Sequence, residues 1–282
     1  MAECRGNLFI RNGQLIPVEA FDNSIFNRPH YIYEVFRVID GVALFLEDHL
    51  ERLYSTVALS GFSSKVVPDD FVEQVYRLIE ANQLQIGNIK VVVLTEDEIS
   101  GQEFLIYVME HHYPTDADFE LGVALGLHRG LRLNPNAKVM DTELRSNTNV
   151  AKQQNNVFET LLVDHDNCIT EGSRSNVFFV KGDELVSPPM QDILPGITLK
   201  HVLLLCHQLG IAVKEEKVAV SRLPEFDGVF ITGTSRKVLP AFRVEEFTYT
   251  TGLPVIRRLQ EAFNNKVAGY VAEVLANKTK KG

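Results

Sequence analysis

Two residues of complementary chemistry, Lys138 and Glu171, are the most informative part of this sequence. A lysine amine can form an imine with an aldehyde, and a carboxylate can hold a ring nitrogen in its protonated form. An enzyme that uses pyridoxal phosphate as an electron sink needs both groups. A single lysine is more often a solvated surface charge, and a glutamate beside glycine more often closes a turn. The sequence around Lys138 and Glu171 therefore has to distinguish between the catalytic and the structural interpretation.

The sequence places both residues at the ends of β-strands. Residues 123–127 alternate in the pattern of a strand, and residues 134–137, rich in Asn and Pro, predict a turn just before Lys138. Glu171 lies shortly before the apolar run 177–180, which predicts another strand. Because rigid elements hold side chains in fixed positions, both residues are candidates for catalysis.

Periodic patterns predict helices and strands along the rest of the chain. Helical spacing of apolar residues predicts helices over 47–59, 69–81, 143–157, 198–209 and 253–276. Alternation and β-rich composition predict strands over 8–10, 33–39, 42–46, 89–94, 104–109, 160–164 and 177–180. Strands 89–94 and 104–109 are expected to pair across the loop 96–101. This mixture predicts an α/β fold.

Two further segments have a structural interpretation. The last predicted helix carries an apolar stripe that we interpret as core packing and not as a partner site, formed by Ile256, Leu259, Phe263 and Val267. The polar segment 111–118 contains a proline and is interpreted as the interdomain linker. Its two adjacent histidines would point to opposite sides of an extended segment, so we predict no metal site there.

Composition argues against several classes of function. A chain of 282 residues with 45% apolar residues can build two ordinary domains, and its formal net charge of −9 argues against a nucleic acid or an anionic membrane as partner. The scattered cysteines Cys4, Cys168 and Cys206 predict neither a disulfide nor a metal. No run reaches the roughly 18 apolar residues of a membrane helix, and the first residues lack a signal-peptide core. We therefore expect a cytoplasmic protein.

Four motifs, in this order and spacing, resemble the class IV (fold type IV) pyridoxal-phosphate aminotransferases. This group holds the D-amino acid and branched-chain aminotransferases and aminodeoxychorismate lyase. The motifs are the Lys138-to-Glu171 spacing, Glu171-Gly172-Ser173-Arg174-Ser175-Asn176, Leu194-Pro195-Gly196-Ile197-Thr198, and Phe230-Ile231-Thr232-Gly233-Thr234-Ser235 followed by Val238-Leu239-Pro240. A weaker match extends through the first half of the chain, at Tyr33-Glu34-Val35 and Asp48-His49-Leu50-Glu51-Arg52-Leu53.

The resemblance implies an α/β (α+β) fold of two domains. We expect a small N-terminal α/β domain over 1–112, a linker over 113–121, and a larger C-terminal pseudobarrel domain that binds the cofactor over 122–282. It also implies a homodimer with the active site at the subunit interface, because in this fold an early loop reaches into the neighbouring subunit's site.

The resemblance gives each cofactor contact a candidate residue. Lys138 would anchor pyridoxal phosphate covalently and act as general base, and Glu171 would hold the pyridinium proton. A glycine leading into a helix offers free N–H groups to the phosphate, although an ordinary threonine N-cap explains the same residues. The expected phosphate contacts are Arg52, Ile197, Thr198 and Thr234, and Ser175, Asn176, Gly196 and Gly233 complete the cofactor-binding set.

The sequence departs from the family pattern in two places. The best-known D-amino acid members carry an Arg-x-His pair for the substrate carboxylate in a loop whose counterpart here, 96–101, is acidic. Replacement cations are therefore expected, and the candidates are Arg28, Arg174 and Lys237, with Tyr33 also expected near the substrate. The tyrosine that often follows the catalytic lysine is also missing, since Asp141 and Thr142 occupy that region. Tyr33 or Arg145 would have to compensate for it.

These features predict a transaminase that moves an amino group between a D-amino acid, such as D-glutamate or D-alanine, and a 2-oxo acid. The resemblance favours D-amino acids, because D-specific members share the Glu-Gly-Ser-x-Ser-Asn form of the motif and because several cations here could hold two carboxylates. Branched-chain L-amino acids and the elimination reaction of aminodeoxychorismate lyase remain alternatives. A binding or structural protein on the same scaffold would be colourless. If another lysine were catalytic, Lys152 would be the next candidate.

Overall fold

A computed structural model describes residues 3–27, 30–61, 67–94 and 103–279. Its helices and strands, in chain order, are β1 (Cys4–Arg11), β2 (Gln14–Pro17), β3 (His30–Ile39), β4 (Val42–Ala43), α1 (Leu46–Leu59), α2 (Phe71–Ala81), β5 (Ile86–Leu94), β6 (Glu103–Met109), α3 (Asp116–Leu121), β7 (Val123–Arg129), β8 (Val139–Asp141), α4 (Thr142–Gln154), β9 (Glu159–Val163), β10 (Cys168–Gly172), β11 (Asn176–Lys181), β12 (Glu184–Ser187), α5 (Ile197–Leu209), β13 (Val213–Glu215), β14 (Val218–Ala219), β15 (Gly228–Gly233), β16 (Lys237–Val244), β17 (Phe247–Thr248) and α6 (Pro254–Thr279).

The chain divides into two compact units. The first comprises Met1–His112, Ala137–Thr142 and Val267–Gly282, and the second comprises Tyr113–Asn136 and Glu143–Lys266. The expected domain over 122–282 differs from the second unit, because Ala137–Thr142 and Val267–Gly282 group with the first. Strand β8 lies in the earlier of these segments and hydrogen-bonds to β3. In the later segment, the Tyr270 hydroxyl donates to Glu47 at 2.7 Å.

The first unit is built on an antiparallel sheet of seven strands. The strands follow the order β2-β1-β6-β5-β3-β4, and β8 also pairs with β3. Apolar side chains of one sheet face pack with helices α1 and α2 around Phe36, Leu53 and Leu78. The predicted hairpin is confirmed, since Leu94 of β5 pairs with Glu103 of β6, while the loop 96–101 lies outside the described residues.

The second unit is built on a mixed sheet of ten strands. The order is β13-β12-β11-β15-β16-β7-β9-β10-β14, with β17 on β16, and the parallel pairs are β12 with β13, β16 with β7, and β7 with β9. Its core includes Leu161, Phe179 and Ile231. The sheet carries the short β10–β11 turn and the β15–β16 turn, and helix α5 follows β12; these three places hold most of the predicted cofactor residues.

Most predicted elements are confirmed, and the differences lie at their ends. Helix α4 ends at Gln154 and not at 157, because Asn156 adopts the left-handed conformation with φ 48°. The strand expected over 42–46 is limited to Val42–Ala43, since Phe45 is also left-handed and α1 begins at Leu46.

The expected linker and the last helix can also be compared with the structure. The linker contains helix α3, whose first turn has a reciprocal capping box between Thr115 and Asp118. The apolar stripe of the last helix is buried, which confirms its role in core packing. Within the described residues, no helix combines the length and hydrophobicity that crossing a membrane requires.

Candidate active site

Lys138 lies at the loop position directly before β8, on the first unit's sheet. Its main-chain N–H donates to Thr56 Oγ1 at 3.1 Å, and its carbonyl accepts from the Tyr33 N–H at 3.2 Å. Its Nζ lies 4.7 Å from the centre of the Tyr33 ring. The turn predicted from residues 134–137 therefore leads to a lysine whose backbone is fixed on both sides and whose amine faces an aromatic ring.

A buried charged triad, Glu34, His49 and Arg52, lies in the same unit. Arg52 donates Nε and Nη2 to the two Glu34 oxygens at 2.7 and 2.8 Å, and His49 Nδ1 donates to Glu34 Oε2 at 2.9 Å. His49 and Arg52 are three positions apart on α1, so both reach the same point on β3. Glu34 belongs to the weaker motif match, which predicted no role for it. Its position as a charged residue inside a strand of buried neighbours was the sequence signal that could have identified it.

The electrostatics of the triad follow from its pairing. Burial opposes ionisation of Glu34, but the charge and hydrogen bonds of Arg52, helped by His49, outweigh it and hold the pKa well below its usual range. Burial lowers the pKa of His49, although Glu34 works in the opposite direction. Glu34 is thus an anion bound in the fork of Arg52. The predicted contact of Arg52 with a phosphate stays a prediction.

Glu171 lies in the second unit on β10, with a side chain only 3% exposed. Its Oε1 accepts from Arg132 Nε at 2.7 Å and its Oε2 from the Leu194 N–H at 3.3 Å. Arg132 also donates Nη2 to the Ser173 carbonyl at 3.3 Å, and Arg145 donates Nη1 to the same oxygen at 3.2 Å. The two arginines therefore hold the turn that follows Glu171. Arg132 lies outside the motifs and was not predicted to belong to the site.

The glycine-to-helix junction at Gly196 has the form expected of an anion site. Gly196 is the N-cap of α5, and the described chain gives this helix no side-chain cap. Asn176 donates Nδ2 to the Leu194 carbonyl at 2.8 Å, and a methyl group placed on Gly196 would overlap Asn176 Oδ1. Ile197 and Thr198 follow as buried residues of the first turn. The φ of −66° at Gly196 suits any residue, so the backbone conformation does not require a glycine. The close approach of the Asn176 side chain does.

The predicted residues near Gly233 lie in two neighbouring turns. Gly233 pairs with Lys237 across the β15–β16 turn, which contains Thr234, and a methyl group on Gly233 would lie 3.4 Å from the Arg174 carbonyl. The hydroxyl of Ser175 is buried and has no hydrogen-bond partner among the described residues. A buried hydroxyl of this kind needs an acceptor or donor to offset its desolvation. A bound ligand would supply one.

The three cations expected at the substrate carboxylate have different surroundings. Arg28 lies outside the described residues. Arg174 donates Nη2 to Asn149 Oδ1 at 2.7 Å, and its main-chain N–H donates to Glu159 Oε1 at 2.5 Å. Lys237 has φ 53° and donates Nζ to Asn264 of α6 at 2.8 Å. The structure thus connects Arg174 with α4 and β9, and Lys237 with the last helix.

These groups fit pyridoxal phosphate. Taken separately, the first unit contains an amine beside an aromatic ring, and the second contains an oriented carboxylate. Among its described residues, the second unit also contains a helix N-terminus with no side-chain cap and a buried hydroxyl with no hydrogen-bond partner. An aldehyde, a ring nitrogen and a phosphate are the three features of that cofactor that such groups would bind.

Comparison with known proteins identifies the class. The family description "Amino-transferase class IV" matches residues 31–244, so the chain belongs to the class IV aminotransferases, which are pyridoxal-phosphate-dependent. The resemblance stated from the motifs is therefore confirmed, as is the mixed α/β fold.

Three similar proteins illustrate the range of the family. The D-alanine aminotransferase of Bacillus licheniformis is 26% identical over 255 residues, which cover 86% of this chain and 90% of that protein. A Methanocaldococcus jannaschii protein that carries the name branched-chain-amino-acid aminotransferase is 27% identical over 88% of this chain and 85% of its own length. The structure of the Escherichia coli branched-chain amino acid aminotransferase has a TM-score of 0.83 at 22% identity, covering 94% of this chain and 96% of that one. At this identity the structural similarity shows the fold alone.

Proposed function

We propose that this class IV aminotransferase is a homodimeric transaminase that moves an amino group from a D-amino acid, such as D-glutamate or D-alanine, to a 2-oxo acid. The observation that carries the proposal is that one chain contains both Lys138, an amine beside the Tyr33 ring, and Glu171, a buried carboxylate held by Arg132. The preference for D-amino acids rests on the Glu171-Gly172-Ser173-Arg174-Ser175-Asn176 motif. Small amino acids and 2-oxo acids are the proposed substrates.

The proposed roles follow from the chemistry of each side chain. When bound, pyridoxal phosphate supplies an aldehyde that condenses with amines and a ring that accepts an electron pair. Lys138 Nζ would be the amine that anchors the cofactor and also the general base that removes the proton from the substrate Cα. Glu171 keeps the ring nitrogen protonated, and the donors Arg132 and Leu194 N–H orient its two oxygens. The N–H groups of the first turn of α5 donate to the phosphate.

The remaining site residues are proposed from the motifs and the contacts around them. Arg52, Thr198 and Thr234 are proposed to bind the phosphate, with Arg52 held in place by Glu34. Arg28 and Arg174 are proposed to bind the substrate carboxylate, Arg28 from the neighbouring subunit. An ultracentrifugation measurement of the purified protein tests the dimer, and a monomer with full activity would contradict it.

The proposed function is tested by the visible absorption spectrum of the purified protein. D-glutamate, D-alanine and L-leucine are added singly, and the conversion of the cofactor to its pyridoxamine form is followed. Conversion by the D-amino acids alone supports the proposal. Conversion by L-leucine assigns the protein to the branched-chain group, and release of pyruvate from aminodeoxychorismate without an amino acceptor assigns it to the lyases.

The role of Lys138 is tested separately. Lys138→Ala is expected to lose the absorption band of the covalently bound cofactor and all measurable turnover, because no other amine replaces the anchor and the base. Lys181→Ala, an exposed lysine paired with Glu225, is the control and should keep both. If Lys138→Ala stayed fully active, the catalytic lysine would be another residue, with Lys152 examined next.

A further inference from the structure

A buried carboxylate that the motifs do not predict, Glu159, lies at the first position of β9. Its side chain is 1% exposed. Oε1 accepts from Ser173 Oγ at 3.0 Å and from the Arg174 N–H at 2.5 Å, and Oε2 lies 2.5 Å from Arg236 Nε. Glu159 therefore joins the turn after Glu171 to the β15–β16 turn that contains Thr234.

Three cations gather around this one carboxylate. Arg236 Cζ and Lys152 Nζ lie 5.8 and 5.4 Å from the centre of the same ring, that of Phe158. Arg174 is bound to Asn149, which precedes Lys152 by three positions on α4 and so shares its face of the helix. We call Lys152, Glu159, Arg174 and Arg236 the Glu159 cluster. It contains three positive charges and one negative charge.

Two of the three cations, Lys152 and Arg236, are partly removed from water, while Arg174 is exposed. Burial lowers the pKa of Lys152, and the charges of Arg174 and Arg236 lower it further while Glu159 opposes them. Burial opposes ionisation of Glu159, but Arg236 and Arg174 outweigh it and lower the pKa of that carboxyl. Removing a cation from water costs free energy that nearby anions offset. A bound anion would therefore stabilise Lys152 and Arg236 further.

Arg236 has the geometry to bind such an anion. Glu159 lies at its Nε edge, no described residue hydrogen-bonds to its two terminal nitrogens, and the side chain keeps 14% exposure. The planar fork of these nitrogens matches a carboxylate with two parallel hydrogen bonds. Lys237, which the motifs had suggested for this turn, instead reaches Asn264 and the Phe119 ring.

We propose that the Glu159 cluster binds the distal carboxylate of a dicarboxylic 2-oxo acid or amino acid, with Arg236 as direct ligand and Glu159 as positioning residue. The proposal rests on the proposed transaminase function and names its substrate class. The position favours a ligand of the active site, because Ser173 donates its hydroxyl to Glu159 and its carbonyl accepts from Arg132, the partner of Glu171. Arg174 of the cluster thus lies three residues along the chain from Glu171.

The test compares two achiral acceptors, so the D or L preference of the enzyme does not enter. The pyridoxamine form of each variant is reacted with 2-oxoglutarate or with pyruvate. Arg236→Gln should raise the KM for 2-oxoglutarate roughly 10- to 100-fold, the effect of one charge-assisted hydrogen-bonded pair, and change the KM for pyruvate less than about twofold. Arg236→Lys should fall in between, because it keeps the charge and loses the fork.

Two controls keep the test decisive. Arg129→Gln removes an exposed arginine of the same unit that is bound to Asn167, and should leave both acceptors unchanged. The double variant Glu159→Gln/Arg236→Gln leaves no unpaired charge if Arg236→Gln alone fails to fold. The double variant should show the same rise in the KM for 2-oxoglutarate, with the KM for pyruvate nearly unchanged.

An equal rise in the KM for both acceptors, or no rise for either, would overturn the assignment of Arg236 as the ligand of the distal carboxylate. Calorimetric binding of glutarate and butyrate to the cofactor-loaded protein gives a second result that needs no turnover. Glutarate should bind about 10- to 100-fold more weakly to Arg236→Gln, and butyrate equally well to both proteins. If the wild-type enzyme aminated neither 2-oxo acid, the proposed function would fail, while a selective loss of glutarate binding would still support the carboxylate site.

Discussion

At the scale of single residues, both oxygens of Glu171 have a fixed direction. Arg132 donates to one oxygen and the Leu194 N–H donates to the other, and Arg132 also donates to the Ser173 carbonyl. A catalytic carboxylate held in this way does not need to reorient when its partner binds. Its negative charge, and not its shape, is what the proposed mechanism requires.

Glu171→Gln separates charge from shape. The amide keeps the shape and can accept one of the two bonds, from Arg132 or from the Leu194 N–H, but it cannot hold a proton on a ring nitrogen, so we expect kcat to fall about 100-fold or more. Steady-state rates measured at saturating substrate would show this. The exposed Glu246 gives a matched Glu→Gln control that should retain wild-type kcat. A Glu171→Gln enzyme with an unchanged kcat would mean that the ring nitrogen is not the partner of Glu171.

Glu34 makes a second prediction, on stability and its pH dependence. Glu34→Gln leaves Arg52 buried without its anion, so we expect a loss of about 3–5 kcal/mol in the free energy of unfolding at pH 7. The pKa of Glu34 is lowered in the folded state, so its stabilising effect is fully present above the unfolded value of about 4.3 and declines as the pH falls below it. The difference between wild type and variant should therefore narrow at acid pH.

Urea denaturation of both proteins at pH 7 and near pH 3.5 checks this expectation. The exposed pair of Glu110 and Arg5 provides the control, and Glu110→Gln should cause no measurable change at pH 7. A gap between wild type and Glu34→Gln that stayed constant or widened toward acid pH would contradict the ionised pairing of Glu34 with Arg52.

At the scale of elements, the start of helix α5 depends on the absence of a side chain at Gly196. Gly196→Ala would push Asn176 away from the Leu194 carbonyl, at a cost of about 1–3 kcal/mol of packing strain. We expect the cofactor affinity to fall roughly tenfold, because the first turn that is proposed to bind the phosphate would shift. Titration of the cofactor-free protein, followed by fluorescence, measures this affinity.

Gly252→Ala is the control for that substitution. The space around Gly252 holds no described atom within 4 Å of an added methyl group, so its cofactor affinity should equal that of the wild type. Equal cofactor affinities of the wild type, Gly196→Ala and Gly252→Ala would show that α5 tolerates the displacement of Asn176. Close packing at Gly196 would then not be needed for cofactor binding.

The elements were largely predictable from local patterns, and their ends were not. The apolar spacing around Leu53 and Val57 predicts α1, and the stripe containing Leu259 predicts α6, because burial of one face repeats every turn. The left-handed conformations of Phe45 and Asn156 set the limits of β4, α1 and α4. A phenylalanine rarely adopts that conformation, so no sequence rule would place it there.

At the scale of the whole molecule, the parts of the site that the sequence missed are those formed by distant partners. Lys138 and Glu171 lie beside turn-forming residues and could be recognised locally. Arg132 lies in a stretch without periodicity, and its partner is 39 positions away on β10. Likewise, nothing near Glu159 in the sequence indicates that it meets Arg236. Pairing of this kind is decided by the sheet order, which local patterns do not contain.

Cofactor binding should also be visible in the stability of the whole protein. A ligand that binds only the folded chain stabilises it by about 2.7 kcal/mol when its free concentration is 100 times Kd. We expect pyridoxal phosphate to raise the free energy of unfolding of the cofactor-free protein by at least this amount, measured by urea denaturation. Lys138→Ala should show a smaller gain, and pyridoxine, which has neither aldehyde nor phosphate, should show almost none. If pyridoxal phosphate stabilised the wild type and Lys138→Ala equally, and pyridoxine stabilised the wild type by the same amount, the binding would be nonspecific.

The discontinuous first unit has a consequence for how the chain folds during synthesis. Its sheet receives β8 only after residue 141 has emerged from the ribosome, and residues from Val267 onward join it last. All residues of the second unit are made before that point. The nascent protein therefore carries an unfinished first unit for most of its synthesis: the β3 positions that pair with β8 stay open until residue 141 has emerged, and the segment from Val267 is missing until the rest of the chain has been made. An N-terminal fragment ending at residue 112 should accordingly be prone to aggregation.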